Sequence, residues 1–129
     1  TSTYYLFSFA DLEGIYSTLI NGNITGNATI GLIAQDGTTY IMEIQDETAF
    51  RAFGNRWFVE MQESLSKRSY SDNFKHLTTP EQNEKAFLEF MQTETAGISL
   101  IKANNFLSEF TELKISSTGV VTAIPCNND

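Results

Sequence analysis

Thr29-Ile30-Gly31-Leu32-Ile33-Ala34-Gln35, then Asp36-Gly37, then Thr38-Thr39-Tyr40-Ile41-Met42-Glu43-Ile44 is the stretch on which the fold turns. Asp-Gly suits a two-residue hairpin turn because both central positions need positive φ, and β-branched, apolar flanks suit strands. The reading is an antiparallel hairpin that feeds a helix.

Downstream, Asp46 is placed to cap that helix and Glu47 lies at its positive dipole end. Phe50, Phe53, Trp57, Met61 and Leu65 recur every three or four residues as one apolar stripe. Gly54-Asn55 interrupts the stripe without shifting its phase, so one helix is expected, with a close backbone contact at Gly54. Arg56/Glu60 and Glu63/Lys67 are spaced as i,i+4 ion pairs on its exposed side, and Glu81/Lys85 repeats that spacing later. Ser66–Thr78 reads as a long polar connection. Thr79-Pro80-Glu81-Gln82 then combines an N-cap, a proline at the first helical position and a capping-box Gln. Ala86, Phe87, Phe90 and Met91 give this second helix its buried side, and Gly97 is placed to end it.

Upstream, Tyr4–Phe9 reads as a short aromatic strand. Asp11 suits an N-cap, and Leu12, Ile15, Tyr16, Leu19 and Ile20 share one helix face, with Asn21-Gly22 as the stop. At the other end, 98–110 is ambiguous. Ile98–Ile101 suits a strand, whereas Phe106, Phe110 and Leu113 keep helical spacing. Thr111–Ser116 and Val120–Ile124, joined by Ser117-Thr118-Gly119, form a second hairpin closing at Pro125. Hairpins without βαβ crossovers imply an antiparallel sheet. The expected fold is α+β: one domain over 1–129, with about four to five strands (two hairpins plus the N-terminal strand) packed against two or three helices.

Composition removes several functions. The net charge of −8 opposes binding to a phosphate backbone, so no nucleic-acid partner is expected. No apolar run nears the roughly 20 residues of a membrane helix, and no basic stretch with a cleavage site marks a signal peptide. The compartment stays open. Charge is unevenly spread: residues 1–50 hold six acids and no Lys or Arg, whereas Arg51, Arg56, Lys67, Arg68 and Lys75 cluster just after them. An acidic surface for a basic partner is one reading, and simple solubility is the other.

No reaction centre assembles from the motifs. His76 and Cys126 are the only His and Cys, too few for a transition-metal site, and a Cys126–His76 pair would put its nucleophile in a terminal tail. No metal, cofactor or catalytic residue is expected. Gly22, Gly26 and Gly31 do not make a phosphate-cradling pattern. Asn23-Ile24-Thr25 and Asn27-Ala28-Thr29 match the N-glycosylation acceptor in a chain rich in Asn and Thr, where chance accounts for both. Sugar found on either would instead mark a secreted or surface domain.

The stretch 67–76 is the expected place for partner binding, through Lys67, Arg68, Tyr70, Phe74, Lys75 and His76. A connection longer than about 12 residues is uncommon in a compact domain and is often functional, and this one mixes cations with aromatics. The first expectation for function is a non-enzymatic protein-interaction or structural accessory domain acting through its surface. An acidic inhibitor or immunity-type protein against a basic target is the alternative. A small carboxylate-based enzyme using Arg56 or His76 stands third.

Overall fold

A computed structural model describes residues 6–23, 29–34, 37–104 and 107–126. Helix α1 (Phe9–Ile20) precedes strands β1 (Thr29–Ile33) and β2 (Thr39–Ile44). Then come α2 (Glu47–Gly54), a π-helical segment (Asn55–Glu60), α3 (Glu63–Asp72) and α4 (Pro80–Glu94). Strands β3 (Ile98–Ala103), β4 (Phe110–Ile115) and β5 (Val121–Pro125) complete the chain. The five strands form one antiparallel sheet in sequence order, β1-β2-β3-β4-β5. The expected α+β class is the observed one. No described helix is long and apolar enough to cross a membrane.

Both expected hairpins form. In the first, the Ala34 N–H donates to the Thr38 carbonyl, the Gly37 N–H donates back to Ala34, and Gly37 has φ 89°. Three residues therefore separate the closing pair, instead of the two expected; Asp36 itself lies outside the described residues. The second hairpin repeats this geometry, with Ser116 bonded to Val120 and Gly119 at φ 87°. A left-handed residue closing a three-residue loop is a common hairpin solution, and glycine takes it without strain.

Five expectations change. Of the N-terminal strand, Tyr4 and Tyr5 lie outside the described residues, and Leu6 and Phe7 are buried but unpaired in the sheet. Helix α1 begins at Phe9 because Ser8, not Asp11, is its N-cap; Asp11 closes the capping box by accepting from the Ser8 N–H. The single helix through Leu65 divides. After Gly54 the backbone widens, the Met61 N–H reaches back to the Arg56 carbonyl, and Met61 is extended. Leu65 consequently lands half exposed on a new helix.

The polar connection is helical as far as Asp72, where Ser66 and Tyr70 supply a narrow buried stripe at i, i+4, and Phe74 is buried in the turn that follows. Finally, 98–110 resolves into the end of one strand and the start of the next: Phe110 and Leu113 are on β4, not on a helix, and Phe106 lies outside the described residues. The capping signals at Thr79, Pro80 and Gln82 hold in every detail, as does that at Asp46.

The core lies between the helices and one sheet face. Tyr40, Met42, Ile44, Leu100 and Leu113 meet Leu12, Phe50, Phe53, Phe87 and Tyr70 there. Aromatic rings dominate it; Phe53 alone contacts Phe50, Trp57, Phe58 and Phe90 at centroid distances of 5.8–6.2 Å. Gly54 packs its bare Cα against the ring of Tyr16, where a Cβ would stand 2.0 Å from Cδ1.

Candidate interaction surface

Strand alternation sorts side chains to two faces, and opposed residues share a face. Tyr40 opposite Lys102, Met42 opposite Leu100 and Leu100 opposite Leu113 face the helices. Ile41 opposite Ile101, Ile101 opposite Glu112, Glu112 opposite Ile124, and Ala103 opposite Phe110 therefore face away. Ile33 joins them through its partner Thr39. Among the described residues no helix covers this outer face.

Ile41, Ile101 and Phe110 are only half-buried and stand outside the core cluster, while Ile33 is 74 % and Ile124 45 % exposed. The rest of the face is polar: Thr29, Glu43, Ser99, Lys114 and Thr122 gather toward one end. The two halves lie side by side on one surface, the apolar one interrupted by Glu112 between Ile101 and Ile124.

The six residues expected to bind a partner do not form a common surface. Tyr70 and Phe74 are core residues; the Tyr70 hydroxyl donates to the Phe7 carbonyl. Lys67 pairs with Glu63 at 2.8 Å, as its spacing predicts, and Lys75 pairs with Asp72. Hydrogen bonding to Lys67, then its charge, holds the Glu63 carboxyl below the usual range, and the same pair raises Lys67. Arg68 and His76 are exposed, His76 at φ 65° in the turn after α3. Arg56 does not reach Glu60. It donates to the Glu94 carbonyl at 2.6 Å, and the Trp57 indole donates to the Glu94 carboxylate at 2.8 Å, tying the π-helical segment to the end of α4.

One polar cluster was invisible in the sequence. Glu84 on α4 is buried, its Oε2 accepting from the Tyr40 hydroxyl at 2.6 Å and from Lys102 Nζ at 2.8 Å. It braces α4 against β2 and β3. Only an oddity hinted at it: Lys102 stands in an apolar strand on the side that faces inward. A second feature is a groove of ≈ 410 Å³ where β3 and β4 part beyond Leu100–Leu113. There the Gln92 side-chain amide donates to the Ile115 and Ser116 carbonyls, each at 3.4 Å.

Cys126 is a half-buried free thiol, Asn23 is exposed, and Asn27 lies outside the described residues. Among the described residues no group of three or more His, Cys, Asp or Glu could hold a metal ion. Comparison with models of protein families, with curated proteins and with solved structures returns no match for this chain.

Proposed function

We propose that this protein is a non-catalytic interaction domain that engages a protein partner through the helix-free face of its sheet. One observation carries the reading: Ile33, Ile41, Ile101, Phe110 and Ile124 share a face that the core does not use. A one-layer antiparallel sheet ordinarily turns polar side chains to water, and a cluster of apolar side chains there marks a contact surface. The buried carboxylate supports the same reading, since Tyr40 and Lys102 already occupy Glu84 as a brace.

The test is quantitative affinity capture from the native source with the full chain and with an Ile41→Glu/Ile101→Glu variant. Both side chains leave the core untouched, so the variant keeps its thermal melt. Loss of one stoichiometric partner from the variant, with retention by a Lys67→Glu/Arg68→Glu control on α3, supports the sheet face. Equal capture by both variants overturns it.

A further inference from the structure

The two edges of the sheet are not equivalent. In β1 the groups of Ala34 turn toward β2, as its bond to Thr38 shows, and by alternation so do those of Leu32 and Ile30. Thr29, Gly31 and Ile33 therefore present three N–H donors and three carbonyls to the side on which, among the described residues, no further strand pairs. In β5 the bonds of Ser116 to Val120 and of Cys126 to Phe110 turn the even-numbered residues toward β4, and the groups of Val121, Ala123 and Pro125 point outward. Pro125 has no N–H, so that edge lacks one donor of the row and resists extension. Natural edges are commonly guarded by proline or charge. β5 has its proline, whereas β1, Thr29–Ile33, has neither.

Beside the β1 edge lies a hollow of ≈ 380 Å³ between α1 and β1, lined by Ala10, Asp11, Gly14, Ile15, Thr18 and Ile30 among others. A strand laid against β1 would direct alternate side chains toward it. Among the described residues Asp11 is the only ionisable group lining it, and its Oδ2 is engaged by the Ser8 N–H while Oδ1 is not used by that bond. Residues 1–50 contain no Lys or Arg, so neither α1 nor β1 brings a cation of its own to this hollow. A lysine or arginine suits such a site, its aliphatic stem against Ile15 and Ile30 and its head at Asp11.

We propose that β1 accepts an extended, Lys- or Arg-bearing segment of a partner protein as a sixth strand, its cationic side chain entering the α1–β1 hollow to meet Asp11. Main-chain bonding supplies affinity in this mode, and the hollow supplies selectivity. A second copy of this chain is the poorer occupant, because its own β1 carries no cation and it brings a further net charge of −8. The inference rests on the reading of the protein as an interaction domain, but uses a different surface from the helix-free face.

The experiment measures fluorescence anisotropy of labelled heptapeptides, alternating Val and Thr around a central Lys or Glu, against the full chain. The Lys peptide is expected to bind about tenfold more tightly than the Glu peptide, and a Lys peptide interrupted by prolines only at background. Gly31→Pro removes an outward N–H without touching the β1–β2 ladder, and Thr29→Pro does so at the first strand position. Either folded variant should lose Lys-peptide binding. Asp11→Asn, which can still accept the Ser8 bond, should keep binding but lose the preference for Lys over Glu.

Undiminished binding by the proline variants, equal binding of both peptides, or none, overturns the proposal. So does a concentration-dependent dimer that Gly31→Pro dissolves, which would make a second copy the occupant. Ile41→Glu/Ile101→Glu should bind the peptide normally. Partner capture lost in that variant, with no peptide binding to the wild type, would sink the β1 site and leave the sheet-face reading standing.

Discussion

A single methyl group at position 54 would stand 2.0 Å from Cδ1 and 2.2 Å from Cε1 of Tyr16. Neither atom is the loose end of a side chain; the ring also packs on Phe50 and Phe58 at 6.2 and 5.3 Å. Gly54→Ala is therefore expected to lower stability by about 1–3 kcal/mol, the usual cost of overpacking. In a Tyr16→Leu background the same change should cost clearly less, because the clashing ring is gone. Denaturant midpoints for the four proteins of this cycle give the coupling directly, and additive values would show that Tyr16 is not the obstacle. The close approach at Gly54 was legible in sequence, since the apolar stripe kept its phase across the glycine. Its partner was not, because Tyr16 comes from a helix that only the fold brings alongside.

Among the elements, α4 is tied to the sheet by the Tyr40–Glu84–Lys102 cluster, and removal of its central carboxylate takes an acceptor from the buried Tyr40 hydroxyl and the counter-charge from the half-buried Lys102. Glu84→Leu should cost about 3 kcal/mol, the usual order for breaking a buried pair by deleting one member. Glu84→Gln, which still offers Tyr40 an acceptor, should cost less. Tyr40→Phe/Glu84→Leu/Lys102→Met should recover most of the loss, because no polar group is then left without a partner. Urea unfolding of the three proteins checks the order, and a triple variant no better than Glu84→Leu would refute the account.

The start of α4 could be read residue by residue from Thr79, Pro80 and Gln82, since capping is local chemistry. Helix α3 could not, because its buried stripe is one residue wide (Ser66, Tyr70) and half of it is a serine. The π-helical segment also escaped notice: it adds residues to a turn, so a stripe counted at 3.6 per turn runs on to Leu65, which the structure leaves half exposed. The apolar half of the outer face was present in the alternation of β2 and β3. It was masked because strands covered on both sides read the same way.

For the whole molecule the dominant electrostatic fact is imbalance, sixteen acids against eight Lys and Arg, with none of the cations before Arg51. The described ion pairs outside the core, Arg51–Glu47, Lys67–Glu63 and Lys75–Asp72, each join residues within one helix or its following turn. Such exposed local pairs contribute little to folding, and they persist partly in an unfolded chain that keeps the residues adjacent. Self-repulsion among the excess acids is different, because folding compresses them and unfolding relieves it.

Raising salt from about 10 mM to about 150 mM shortens the screening length from roughly 30 Å to roughly 8 Å, which removes long-range repulsion first. The melting temperature should therefore rise with added KCl, and steepen most in the low-salt range. A fall would mean that the three short pairs outweigh the net charge. The same series should weaken any cationic segment held at Asp11, so stability and basic-peptide affinity are expected to move in opposite directions as salt increases.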